Sequence, residues 1–141
     1  MKNAESFLSA ELLKKASLRG KEYAWPVYDI PVVIEAGRIA ELLNIGGQLQ
    51  FRLADGGVCE CYWVDVDTYK TVSKDLPWGE RVNLAAHTAL KDFQTLKNTK
   101  DFIKEGKHGF PKYLDDRNAE QAMCFVWYLS TEEEEKSLSL K

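Results

Sequence analysis

"QLQFRLADGGVCECYWVDVD", Gln48 to Asp67, holds two of the three cysteines in the chain as Cys59-Glu60-Cys61 and decides how the fold is read. Side chains alternate along its first half, so Leu49, Phe51 and Leu53 share one face and Gln48, Gln50 and Arg52 the other. "ADGG" then supplies turn chemistry, and "VCECYWVDVD" returns as a second strand. A two-residue Asp55-Gly56 turn would set Glu60 against Phe51. A three-residue loop, Asp55 to Gly57, instead pairs Leu53 with Cys59, Phe51 with Cys61 and Leu49 with Trp63, giving one wholly apolar face. The opposite face then pairs Arg52 with Glu60 and Gln50 with Tyr62, each worth about 0.2–1 kcal/mol. A one-residue slip would exchange both faces, so the three-residue register is preferred.

That register turns Cys59 and Cys61 inward, where thiols act as small hydrophobes. Cys124, His87 and His108 fall in no metal-ligand spacing with them, so no metal is expected. The polar face, Gln48, Gln50, Arg52, Glu60 and Tyr62 with Val64 beside them, is a candidate partner-binding surface. Trp25 and Trp78, in connecting segments next to prolines, join it as candidate groove aromatics, whereas Trp63 and Trp127 are expected in the core.

Before the hairpin, "ESFLSAELLKKASLR" (5–19) has helical spacing closed by Gly20. Asp29 followed by Ile30-Pro31 predicts a capped second helix over 30–43. In it Ile30, Val33, Ile34 and Gly37 form a stripe, and "NIGG" (44–47) forms the turn that ends it. Gly37 implies a close neighbour. After the hairpin, Val82, Ala86, Ala89, Phe93 and Leu96 give a helix over 80–96. "GKHGFPKYLDD" (106–116) reads as an irregular loop carrying a mobile His108. "AMCFVWYL" (122–129) reads as an interior strand covered on both faces. "TEEEEKSLSLK" (131–141) reads as an acidic, solvated tail.

The expected fold is therefore α+β: a small, mainly antiparallel sheet of hairpin 47–54/58–66 and strand 122–130, with helices packed on one face. At 141 residues with 45% hydrophobic and 29% charged residues, one domain over 1–130 suffices. A net charge of −3 argues against nucleic acid or an anionic membrane as general partners. No apolar run approaches the ~18–20 residues of a membrane span, and no leader pattern opens the chain. Three cysteines, an odd number, point to reduced thiols and a cytoplasmic location.

Neither "GKHGF" nor "GGQLQF" has the glycine spacing of a phosphate loop or dinucleotide fingerprint, so no cofactor is implied. Asp65 and Asp67 end the second strand with carboxylates pointing the same way. With His87 they could line a ligand cleft or a hydrolase-like centre. No nucleophile motif accompanies them. In size and in its lack of a catalytic signature the chain resembles, in a general way, small bacterial immunity or inhibitor proteins; the missing catalytic motifs, the polar hairpin face and the loop tryptophans point to a protein partner. The expectation is a non-enzymatic protein-binding module.

Overall fold

The computed structural model describes residues 3–139; Met1, Lys2, Leu140 and Lys141 lie outside the described residues. Five strands form one antiparallel sheet: β1 (Ser17–Arg19), β2 (Glu22–Trp25), β3 (Leu43–Arg52), β4 (Val58–Asp67) and β5 (Met123–Ser130). Their spatial order is β1-β2-β5-β3-β4, so the last strand inserts between the second and third. Six α-helices accompany them: α1 (Ala10–Lys14), α2 (Ile30–Ile39), α3 (Trp78–Thr99), α4 (Phe102–Gly109), α5 (Asp116–Ala122) and α6 (Glu132–Ser139). The fold is α+β, as expected.

The interior position of β5 follows from its composition. Phe125, Trp127 and Leu129 enter the main core beneath the helices, while Cys124 and Val126 are buried on the other face. Val33 and Ile34 of α2 and Val82, Ala86, Ala89 and Phe93 of α3 complete the core. Phe93 meets Phe125 edge-on at 5.1 Å between centroids. The buried Asn44 is satisfied on both sides: its Oδ1 accepts from Trp127 Nε1 at 2.8 Å and its Nδ2 donates to Ile34 O at 3.1 Å.

Several local expectations are corrected. The 5–19 segment is a 3-10 turn (Ala4–Phe7), α1 and then β1, with Gly20 at φ +62 making the β1–β2 turn. Helix α2 stops at Ile39 because Glu41 adopts φ +60; Leu42 N donates to Gly37 O and Glu41 N to Arg38 O, closing a Schellman motif. Asp29 makes no capping hydrogen bond there. "NIGG" lies inside β3 rather than in a turn. An added Cβ would sit 2.1 Å from Val66 O at Gly46 and 1.7 Å from Val126 O at Gly47. Those glycines let both neighbouring backbones approach a bulged central strand.

Gly37 does meet a close neighbour, Leu129, whose Cδ2 is 2.9 Å from an added Cβ. The expected irregular loop from 106 begins inside α4, and its glycines serve packing. Gly106 lies against the Phe51 ring and Gly109 against Trp63, at 2.3 and 2.5 Å from an added Cβ. Asp115 caps α5, accepting from Arg117 N and Asn118 N at 2.9 and 2.8 Å, which holds its carboxyl below the usual range. The segment expected as a tail forms α6, and Glu135 within it is buried against Arg81.

Candidate functional site

The hairpin keeps the expected faces but not the expected register. Arg52 pairs with Val58, Phe51 with Cys59, Gln50 with Glu60 and Leu49 with Cys61. Pairing has moved by two residues, which preserves which side chains point inward. The loop now spans 53–57: Leu53 N donates to Gly57 O at 2.8 Å, Gly56 N to Leu53 O at 3.0 Å, and Gly57 N to Asp55 Oδ1 at 2.8 Å. Gly56, at φ +97, takes the left-handed position expected at Gly57. The same two carbonyls, Leu53 O and Gly57 O, accept from Arg19 at 2.8 and 3.0 Å. The register is therefore coupled to a strand 34 residues away in the chain.

A break follows. Leu49 pairs with Cys61, but the next residue, Gln48, pairs with Asp65, so Tyr62, Trp63 and Val64 are extra residues on β4. The bulge exchanges the inward parity, from Cys59 and Cys61 to Val64 and Val66. It also corrects two expectations: Val64 is fully buried rather than on the polar face, and Trp63 leaves the core at 47% exposure. Trp63 stacks on Phe110 at 6.3 Å and donates from Nε1 to Glu105 Oε1 at 3.0 Å. Tyr62, 66% exposed, turns the other way and donates to Glu60 Oε2.

The face opposite the helices is curled. β3 and β1 are three strand spacings apart, about 14 Å in a flat sheet. Arg52 of β3 nevertheless donates from Nη1 to Ser17 O and Oγ at 2.7 and 2.9 Å, and from Nη2 to Glu22 O at 3.1 Å. That is beyond the reach of an arginine unless the sheet bends. Arg52 and Arg19 thus clasp the β1–β2 hairpin against the β3–β4 hairpin, and this polar face becomes concave. Gln50, 1% exposed, lies under the clasp and accepts from Arg52 Nε at 3.1 Å. Burial lowers the pKa of Arg52, and those acceptors satisfy the buried guanidinium's donors.

One hydrogen-bonded chain runs over the concave face. Tyr62 donates to Glu60, Gln50 donates to Glu60 at 3.3 Å, and Arg52 donates to Gln50. Beside it Gln48 donates to Tyr128 OH at 3.2 Å, and Tyr128 donates to Glu22. Burial, with the Glu22 hydrogen bond, pushes the Tyr128 hydroxyl up to about 12, so it remains a donor at neutral pH. A shallow depression of about 230 Å³ opens between Gln48, Tyr62, Tyr128, Asp65 and Asp67. Asp65 and Asp67 are exposed there, with Lys70 Nζ 3.9 Å from Asp67.

Of the expected surface, Gln48, Glu60 and Tyr62 stand at or near the rim, whereas Gln50 and Arg52 are buried and act as framework. Trp25 is no groove residue: it ends β2, is fully buried and donates from Nε1 to Leu12 O at 2.9 Å. Trp78 opens α3, is partly buried and donates to Glu41 O at 2.9 Å, away from this face. His87 is exposed on α3, whose buried residues pack on the opposite side of the sheet, so it does not meet Asp65 and Asp67.

The three thiols are buried, and burial pushes Cys61 up to about 12 and Cys124 to about 11, with Cys59 also raised. They are thiols rather than thiolates at neutral pH. Among the described residues no group of three or more His, Cys, Asp and Glu side chains converges to hold a metal, and no helix is long and apolar enough to cross a membrane. What the concave rim presents is carboxylate acceptors and a tyrosine, an arrangement suited to cationic hydrogen-bond donors. Sequence reasoning missed Asp65 and Asp67 as neighbours of Tyr62, and nothing local signals the bulge that brings them together. Comparison with family models, with curated proteins and with solved structures finds no match.

Proposed function

We propose that this chain is a non-enzymatic protein-binding module of the immunity or inhibitor type. It holds a basic segment of its partner against the concave rim formed by Tyr62, Glu60, Asp65 and Asp67. One observation carries the reading: a three-residue bulge on edge strand β4 brings Asp65 and Asp67 to the face from which Tyr62, 66% exposed, projects and donates to Glu60. Bulges re-aim side chains at functional edges, and tyrosine is a common anchor of protein interfaces. Charge complementarity selects a basic occupant, since Arg19 and Arg52, the arginines of this face, are engaged with backbone carbonyls.

Affinity capture from the native cell, quantified by mass spectrometry, tests this with three baits. The wild type and Tyr28→Ala, whose tyrosine lies outside the concave face, should retain the same basic protein and release it as salt rises. Tyr62→Ala combined with Asp65→Lys should lose it. Equal capture by all three baits, or a partner that is held more tightly as salt rises, would overturn the proposal.

A further inference from the structure

A second recess shares no residue with the concave depression. It has a volume of about 370 Å³ and lies between α6 and the segment entering α3, lined by Tyr69, Lys74, Leu76, Trp78 and Arg81. Arg81 is only 6% exposed, and its guanidinium carbon lies 5.7 Å from the ring centroids of both Tyr69 and Trp78. Its Nη2 donates to Glu135 Oε1 at 3.0 Å, but its buried Nε has no hydrogen-bond partner. A buried guanidinium donor left unpaired is costly and calls for a missing acceptor. The other oxygen of Glu135 accepts from Ser130 Oγ at 3.0 Å.

The helix that delivers this carboxylate is lightly attached. Of residues 132–138, Glu135 alone is buried. Thr131 caps the helix, accepting at Oγ1 from Glu134 N at 3.0 Å, so α6 carries its own local stabilisation. It can therefore leave the recess without losing its helical signals.

We propose that this recess binds a small organic carboxylate with an aromatic or aliphatic body, and that Glu135 is the internal occupant such a ligand displaces. The ligand carboxylate takes the place of the Glu135 carboxylate between Arg81 and Ser130. Unlike a side chain tethered to α6, it can shift to reach Nε as well, making the two-pronged contact guanidinium favours. Its body lies against Tyr69, Trp78 and Leu76, and Lys74, 4.5 Å from the Tyr69 centroid, adds a second positive charge. Because the internal carboxylate competes, apparent affinity is reduced by the fraction of molecules with α6 docked.

The test uses the full chain with 3-phenylpropionate and indole-3-acetate as probes and their neutral amides as controls. By calorimetric titration the acids should bind the wild type weakly and Glu135→Gln about tenfold more tightly, while the amides bind neither. In the wild type, hydrogen exchange of the 132–139 amides should speed up with the acids and not with the amides. A folded Glu135→Gln protein that takes neither acid, or takes the amides equally well, would overturn the proposal. Should that variant not fold, unchanged exchange in α6 of the wild type at saturating acid would do so, leaving Glu135 as a structural pin.

Discussion

Replacing Gly106 by alanine should destabilise this protein although it improves the intrinsic preference of a helix. Gly106 lies within α4, where alanine is favoured over glycine by about 1 kcal/mol. Its Cβ, however, would stand 2.3 Å from Phe51 Cε1 and 2.4 Å from Cζ, more than 1 Å inside ordinary contact. Phe51 of β3 is fully buried, and Cys59 and Cys61 of β4 share its face of the sheet, so the ring cannot yield freely. Overpacking of this kind costs about 1–3 kcal/mol. Set against the propensity gain, the net loss is expected at up to about 2 kcal/mol. Gly79, in the first turn of α3, is the control, since nothing lies within 4 Å of its added Cβ. Gly79→Ala should be neutral or stabilising by up to about 1 kcal/mol. Urea unfolding, read as the shift in midpoint at constant slope, measures both. A Gly106→Ala protein stabilised by about 1 kcal/mol, the full propensity gain, would refute the packing of α4 on β3.

Removing the clasp should loosen the sheet. Arg52→Met removes the donor from which Ser17, Glu22 and Gln50 accept and should cost about 2–4 kcal/mol, with faster hydrogen exchange concentrated in β1 and β2. An even loss of protection across all strands would argue against a clasp. Alkaline pH should destabilise the fold. The folded pKa values of Cys61, Cys124 and Tyr128, at about 12, 11 and 12, exceed their ordinary values of 9.0, 9.0 and 10.0. Their contribution is fully present below the unfolded values and declines as pH rises toward the folded ones, by about 1.4 kcal/mol per pH unit per group. Urea midpoints should therefore fall from pH 9 to pH 11, and a flat profile would contradict the burial of these groups. A thiol reagent at pH 8 should modify Cys59 and Cys61 only as the protein opens; rapid native modification would place them on the wrong face.

The legible parts of this fold are those whose signal is local. Alternation in "QLQFRL" correctly sorts the two faces of β3, the apolar run of β5 places it inside the sheet, and the 82–96 periodicity finds α3. The hairpin register depends on Arg19 reaching Leu53 O and Gly57 O, which no rule about turns contains. Glycine was ambiguous for a similar reason. In "GKHG" it reads as flexibility, yet at Gly106 and Gly109 it makes room for Phe51 and Trp63, residues distant in the chain. Helix α6 was legible: "TEEE" is a capping box followed by carboxylates in the first turn, where they favour the helix dipole. The run of four like charges, Glu132 to Glu135, masks that signal. Of the candidate surface, Gln48, Glu60 and Tyr62 follow from alternation. The presence of Asp65 beside Gln48 follows from the bulge and had no local signature.

The central claim is that the concave rim is where a basic protein partner docks, and site-directed photo-crosslinking tests it most directly. Tyr62→p-benzoylphenylalanine puts the crosslinker on the rim, and the same substitution at Tyr28, 75% exposed, puts it outside the concave face. In the native cell the first should give a covalent adduct whose crosslinked peptide from the partner is rich in lysine and arginine, and the second should give none. Adducts from position 28 alone, or an acidic peptide at position 62, would contradict the account.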